Sequence, residues 1–250
     1  MTDLRISEHY ILYIDILGYK SAMLKIGEAQ FLQKIDSLFA RALKSYESMS
    51  KQGKTPHQAF SYKFFSDNIV VAIECDIRPD ISQRALYSLC YLAYVTQGKF
   101  MLDRLMLRGA ITKGMFYISD NYVFGSGLIN AHELERIAMY PRIIVDKSLN
   151  EELHSMPYTD NIFLKDSDGY TRIHYLSNRE QNSLILEYLR RHKELVENGL
   201  VEYINDEKVH KKYAWCREYH NRACFLADIP GACISDIDDL YEQDLQNQSR

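Results

Sequence analysis

The chain has 250 residues, 46% of them hydrophobic and 26% charged, with 30 Lys and Arg against 34 Asp and Glu and a formal net charge of −4. That composition excludes a collagen repeat, a coiled coil and wholesale disorder, and the length buries an ample core without covalent staples. The acidic balance argues against a protein that coats nucleic acid, whose phosphate contacts call for a basic excess, so any anion site must be local. Cys75, Cys90, Cys216, Cys224 and Cys233 are odd in number and lack C-x-x-C spacing. They read as free thiols in a reducing compartment, neither a disulfide framework nor a zinc site. The opening MTDLRISEHY has no signal-peptide pattern, and no window approaches the roughly 20 apolar residues of a membrane span. A cytoplasmic location without direct membrane contact is therefore expected.

The run HYILYID, His9 to Asp15, is almost continuously apolar, as a strand buried on both faces requires, and it ends in a carboxylate. Gly18 permits a turn, after which Phe31, Ile35, Leu38, Phe39 and Leu43 recur at helical spacing and predict a first helix. SKQGKTP reads as a loop. AFSYKFFSDNIVVAIE reads as two strands folded about Ser66, Asp67 and Asn68, residue types that tolerate tight turns. Residues 81–102 set Leu86, Leu89, Cys90, Ala93 and Gln97 on one stripe of a second helix, and LMLRGAITKGMFY is the next strand. Gly125 and Gly127 precede a third helix, INAHELERIAMY, whose exit Pro141 marks, and RIIVD is a short buried strand.

The order β-α-β-β-α-β-(β)-α-β predicts an α+β fold with a ferredoxin-like core, an antiparallel or mixed sheet carrying its helices mainly on one face. Residues 1–150 form that core. Beyond it, 151–240 contribute a β-hairpin around 167–169 and helices near 180–198 and 205–226, a C-terminal extension packed on the core, and 241–250 read as a frayed tail.

Two carboxylates end apolar strands: Asp15 in YIDILGY and Asp67 in FFSDNIV. Charge beside a buried run costs on the order of several kcal/mol unless it is paired or bound to a cation. The first strand and the hairpin are neighbours in this topology, so facing carboxylates would repel and Mg²⁺ or Mn²⁺ would relieve the repulsion; two such metals could hold a triphosphate. The plainer reading makes Asp67 an Asx-turn residue and Asp15 a cap. The histidines show no H-x-x-x-H or H-E-x-x-H spacing, and G-x-S-x-G and G-x-x-x-x-G-K-[ST] are absent, so zinc hydrolysis, serine hydrolysis and a P-loop lack support. RRHKELVENG and DEKVHKKYAWCREYHNR have the charge alternation of amphipathic helices, with Tyr213, Trp215 and Tyr219 as packing or dimer contacts.

YIDILGY, FFSDNIVVAIE, LRGAITKG and a Gly-containing strand end leading into a helix with A-x-x-L-E follow the motif order of class III nucleotidyl cyclases, which the chain resembles over roughly residues 9–146. FSDNI, RGAI, ELE…YPRIIVD and KKYAWCREYHN resemble the pyrimidine cyclases of the Pycsar anti-phage defence system across nearly the whole chain. The resemblance implies a nucleotide cyclase core in residues 1–150. It implies a homodimer with sites at the interface, converting UTP or CTP to the 3′,5′-cyclic monophosphate and pyrophosphate, and signalling through that product to a separate effector. It makes Asp15 and Asp67 ligands of two Mn²⁺ or Mg²⁺ ions, the Ile16 carbonyl a further ligand, and Ile16, Leu17 and Gly18 a turn against the phosphates. In purine cyclases one base contact lies four residues before the second metal Asp, here Lys63, and the other falls near Tyr122. This is not the purine pair, and a large Tyr would narrow the pocket toward a single-ring base.

The helix after the Gly-containing strand departs from the purine enzymes, whose N-x-x-A-x-R type pattern supplies an Asn for ribose and an Arg for the transition state. Matching A-x-x-L-E to Ala131, Leu134 and Glu135 puts Ile129 and Glu133 in those places. The replacement cation is then sought among Arg108, Lys113 and Arg142, with Arg108 assigned to catalysis and Lys113 to nucleotide binding. Their spacing on one strand puts Arg108 and Lys113 on opposite faces, so one of the two reaches the site. The rival readings are a purine cyclase and a catalytically silent module that binds nucleotide in the same fold. An RNA-binding ferredoxin-like domain is disfavoured by the acidic balance and the lack of an aromatic strand motif.

Overall fold

The computed structural model describes residues 5–53, 55, 56, 58–156, 161–177 and 182–235, and the chain divides after Tyr175 into two compact units. The tail expected to fray, 241–250, lies outside the described residues. In the first unit β1 (Ser7–Leu17) leads through α1 (Tyr19–Ile26) and α2 (Glu28–Lys51) to a hairpin of β2 (Ser61–Phe65) and β3 (Asn68–Glu74). There follow α3 (Pro79–Leu102), β4 (Met106–Ile118), β5 (Val123–Phe124), α4 (Ser126–Ala138), β6 (Ile143–Val145), α5 (Asn150–His154), β7 (Phe163–Lys165) and β8 (Thr171–Ile173). The described strands run in the order β2-β3-β1-β4-β6-β8-β7, with β5 on β4. Every pairing is antiparallel except that of β4 with β6, which α4 bridges as a crossover.

The fold is the α+β arrangement that the element order predicts, with local differences, α5 among them. The expected first helix is two, because Gly27 at φ 87° interrupts the helical path between α1 and α2. The loop expected from Ser50 begins later, since α2 runs through Lys51.

Two-sided burial explains why β1 reads as continuous apolar sequence. Tyr10, Leu12, Ile14 and Ile16 pack with Phe31, Ile35, Leu38 and Phe39 of α2 and with Leu86, Leu89, Cys90 and Ala93 of α3. Ile11 and Tyr13 point to the opposite face, where they join Val70, Ala72, Phe116 and Ala131 of α4. Each fully buried branched or aromatic side chain contributes about 1.5–3 kcal/mol to folding. α4 comes down onto the strand backbone at a pair of glycines: a Cβ on Gly114 would lie 2.8 Å from Gly127 Cα. Gly114→Ala is therefore expected to lift the first turn of α4 and cost about 1–3 kcal/mol in urea unfolding; a loss below about 0.5 kcal/mol would mean that the contact yields freely.

The second unit contains α6 (Asn182–Glu202) and α7 (Glu207–Leu226). Asp206 caps α7 by accepting from the Val209 N–H at 3.1 Å. Between the helices His192 and His220, both fully buried, stack with ring centroids 5.2 Å apart and Nδ1 atoms 3.1 Å apart. His220 Nε2 lies 2.9 Å from the Ala232 carbonyl, to which it must donate, so its Nδ1 accepts from His192 Nδ1–H and both rings are neutral. Burial holds both groups below the ordinary 6.5; a proton on His220 would further disfavour one on His192, and His220 is lowered against the pull of the Ala232 carbonyl, with Lys193 adding to the fall. The unfolded chain then binds more protons than the folded one below about pH 6.5, and stability falls as pH falls. Between pH 7 and pH 5 the second unit should lose on the order of 2 kcal/mol per neutral histidine, read as an acid-shifted urea midpoint that His192→Phe reduces. A midpoint flat over that range would contradict the neutral pair. Among the described residues no helix is long and apolar enough to cross a membrane.

Candidate functional site

β1 sets Asp15 between two strands, opposite Asn68 of β3 on one side and Arg108 of β4 on the other. Directly opposed residues share a face of the sheet, so Asn68, Asp15 and Arg108 form a row on the α4 side, and Val70, Tyr13 and Ala110 form the row beside it. Phe65 and Lys63 of β2 extend these two rows, through Asn68 and Val70 respectively.

An ion-pair chain crosses from strand to helix at this row. Arg108 Nη2 donates to Asp15 Oδ2 at 2.9 Å, while its Nε pairs with Glu135 Oε1 of α4. Glu135 is 3% exposed, carried inward beside Ala131, Leu134 and Ala138. Burial raises the Glu135 pKa above the ordinary glutamate value, against the pull of Arg108, and the charge of Asp15 raises it further. Tyr13 also feels this charge: its phenol is pushed up to about 12, first by burial and then by Glu135, Asp15 and Asp67. Its ring meets His132 and Phe65 edge-on at 5.5 and 6.3 Å.

Asp67 sits at the tip of the β2–β3 hairpin, after Ser66 at φ 57°. Its carbonyl accepts from the Ile16 N–H at 2.9 Å, and its carboxylate accepts from Asn68 Nδ2 at 3.0 Å. The hairpin tip is thus tied to the residue that follows Asp15, and both aspartates occupy the same end of the sheet. Gly18, at φ 73° and ψ 15°, turns the chain from β1 directly into α1, with the Ala22 N–H bonded to its carbonyl at 3.0 Å. A Cβ there would meet nothing within 4 Å, so the left-handed backbone, and not crowding, calls for glycine. The first-turn N–H groups of α1 have no acceptor within the helix.

The remaining expected residues separate. Lys63 Nζ donates to the Asp120 carbonyl at 2.6 Å, in the turn from β4 to β5 that also holds Tyr122. Tyr122 lies just before β5 and is 61% exposed. Lys113 projects from the opposite face, over the Tyr10 ring, and pairs with Glu8 at 3.3 Å and Glu152 at 3.4 Å. Arg142 is buried and holds Asp166 and Asp168, each at 2.6 Å. Neither is brought to Asp15. Ile129 and Glu133 are exposed on α4. Sequence reasoning missed Tyr13 and the role of Glu135 as partner to Arg108; the available signals were a Tyr one strand period before Asp15 and a carboxylate inside the apolar stripe of α4.

Two carboxylates and the Ile16 carbonyl are hard oxygen donors of the kind Mg²⁺ and Mn²⁺ take, and Asp15 shares the Arg108 guanidinium with Glu135. Among the described residues no group of three or more His, Cys, Asp or Glu side chains could hold a metal ion by itself. A metal here would depend on main-chain, water or phosphate oxygens, which is how Mg²⁺ is usually held. The residues fit such an ion on those terms. Arg108→Gln should leave two carboxylates facing each other and lower stability at pH 7 by about 1–3 kcal/mol. Because protonation then relieves the repulsion, the loss should shrink by pH 5; an equal loss at both values would contradict the electrostatic origin.

No family model and no curated protein matches the chain. Among solved structures, the adenylyl cyclase CyaB from P. aeruginosa is similar with a TM-score of 0.46 at 9% identity, over 71% of this chain and 97% of that one. The monomeric guanylyl cyclase domain of the RhoGC fusion protein from the aquatic fungus Blastocladiella emersonii gives 0.45 at 10%, over 67% and 95%. An adenylate/guanylate cyclase/hydrolase from Silicibacter pomeroyi gives 0.37 at 19%, over 68% and 95%.

Proposed function

We propose that the chain is a pyrimidine nucleotide cyclase, converting UTP in preference to CTP into the 3′,5′-cyclic monophosphate and pyrophosphate. The observation that carries this reading is the tie between Ile16 and Asp67, which sets two strand-end carboxylates at one end of the sheet beside a left-handed glycine that opens a helix. Asp15, Asp67 and the Ile16 carbonyl would hold two Mn²⁺ or Mg²⁺ ions, which when bound lower the pKa of the ribose 3′-hydroxyl and offset charge on the leaving pyrophosphate. The Ile16 N–H is bonded to the Asp67 carbonyl, so of the expected turn Ile16, Leu17 and Gly18 it is the end of β1 at Gly18, leading into the first turn of α1, that would offer N–H groups to the phosphates. Arg108, held by Glu135, orients the Asp15 carboxylate and would supply positive charge toward the developing charge. Lys63 and the Tyr122 loop, joined through the Asp120 carbonyl, are the base-reading elements, with Tyr122 limiting the pocket to a single ring.

In this reading the protein acts as a homodimer with its sites at the interface. The exposure of Tyr122, Phe124 and Ile129, each above half, is in keeping with a surface that a second copy covers. Lys113 does not contact the nucleotide, since its charge is spent on Glu8 and Glu152. The cyclic nucleotide is the signal, read by a separate effector in anti-phage defence.

The silent nucleotide-binding module remains the second reading, favoured by Ile129 and Glu133 on α4 and by the capture of Arg108 between two carboxylates. Incubation with Mn²⁺ and ATP, GTP, CTP or UTP separately, with products resolved by mass, decides between them. A cyclic pyrimidine with UTP ahead of CTP is expected, and Asp15→Ala or Asp67→Ala should each cut turnover at least about 100-fold while leaving the fold intact, as loss of a metal ligand does. Preference for ATP or GTP would make the chain a purine cyclase. Triphosphate binding without pyrophosphate release would make it the silent module.

A further inference from the structure

Tyr13 stands one strand repeat before Asp15 on β1 and on the same face of the sheet, in the row Val70–Tyr13–Ala110 beside Asn68–Asp15–Arg108. Its ring is clamped between two elements that carry site residues. Phe65, two residues before Asp67, meets it edge-on at 6.3 Å, and His132, three residues before Glu135 on α4, does so at 5.5 Å. With Ile11, Val70, Ala72, Phe116 and Ala131 in the same cluster, the residue is 6% exposed. A buried tyrosine ordinarily finds a partner for its hydroxyl. On the other face Tyr10 bonds Ser82 at 2.8 Å, and Tyr46 donates to the Pro56 carbonyl at 2.7 Å and accepts from the Gln58 N–H at 2.9 Å. The Tyr13 hydroxyl has no hydrogen-bond partner among the described residues, yet it is not one of the fully sealed polar atoms that lack a partner, such as Thr96 Oγ1 and Gln97 Oε1.

We propose, resting on the cyclase reading, that the Tyr13 hydroxyl is a ribose contact of the nucleotide and hydrogen-bonds its 2′-hydroxyl. Gly18 and the opening turn of α1 follow Asp15 at one end of β1, and Tyr13 precedes it by about 7 Å, two residues of extended chain. A nucleotide whose phosphates meet the turn and whose reacting 3′-hydroxyl lies at Asp15 therefore carries the rest of its sugar toward Tyr13.

The surroundings of the phenol select a sugar hydroxyl over the other parts of a nucleotide. The ring is already engaged by Phe65 and His132, so it offers its oxygen and not a free face on which a base could stack. Negative charge from Glu135, Asp15 and Asp67 reaches that oxygen, which disfavours a phosphate oxygen beside it. A neutral hydroxyl suits it, because the phenol and the ribose hydroxyl can each donate or accept. The plainer role, packing alone, needs the ring and not the oxygen. Tyr13→Phe separates the two, since it keeps the ring between Phe65 and His132 and removes one atom.

The test is a binding measurement on the full chain. Wild type and Tyr13→Phe are titrated calorimetrically, in Mn²⁺, with 3′-deoxy-UTP, which lacks the attacking hydroxyl and cannot be cyclised, and with 2′,3′-dideoxy-UTP. If wild type prefers another triphosphate, the same two sugars on that base serve. Wild type should bind the 3′-deoxy ligand about 3–10-fold more tightly than the dideoxy ligand, the worth of one neutral hydrogen bond. Tyr13→Phe, with its fold retained, should bind both at the weaker, dideoxy affinity. A variant that keeps the wild-type ratio, a loss shared equally by both ligands, or a wild-type chain indifferent to the 2′-hydroxyl would overturn the inference and leave the cyclase reading standing. Absence of Mn²⁺-dependent triphosphate binding by wild type would overturn both.

Discussion

A single guanidinium, Arg108, joins the end of β1 to the inner face of α4. One of its nitrogens serves Asp15 and another serves Glu135, so a strand residue and a helix residue are fixed relative to one another through a charge that neither water nor a main-chain group supplies. The geometry around it follows from this demand. β4 must pair with β1 in the register that puts Arg108 opposite Asp15, and α4 must lie close enough for a short Glu side chain to reach. The Gly114–Gly127 approach provides that closeness. Removing one partner from such a half-buried chain leaves uncompensated charge, which is why it constrains the fold and not merely the surface.

Two other cations of the first unit are each held by a pair of carboxylates. Lys113 is absorbed by Glu8 and Glu152, and Arg142 by Asp166 and Asp168, the latter pair fastening the turn between β7 and β8. Around Asp15 two carboxylates share one cation, and the Tyr13 phenol beside them is raised first by burial and then by Glu135, Asp15 and Asp67. Hard oxygen donors beside a left-handed glycine and the opening turn of α1 are the feature that gives the cyclase reading its chemistry.

Much of the fold was legible in the sequence because burial writes itself into period. The unbroken apolar run of β1, the stripes of α2 and α3, and the Ser66–Asp67 turn all correspond to elements in the positions their patterns predict. The break at Gly27 was not read, since the apolar spacing resumes beyond it and hides the interruption. The site was legible at Asp15, Asp67 and Gly18, where a charge or a glycine stands against an apolar background. Alternation alone separated Arg108 from Lys113. It could not say that Glu135 would share Arg108 with Asp15, because Glu135 lies on α4 and its approach depends on packing between elements distant in the chain. The burial of Arg142 was hidden for the same reason: its partners, Asp166 and Asp168, belong to a later hairpin.

The central claim is that Asp15 and Asp67 form one divalent-metal site that a triphosphate completes. Mn²⁺ binding followed by electron paramagnetic resonance, with a non-reactive UTP analogue, tests it apart from turnover. The account predicts bound Mn²⁺ that depends on the analogue and is lost in both Asp15→Asn and Asp67→Asn, with the fold retained in each. Unchanged Mn²⁺ binding in either folded variant would contradict it.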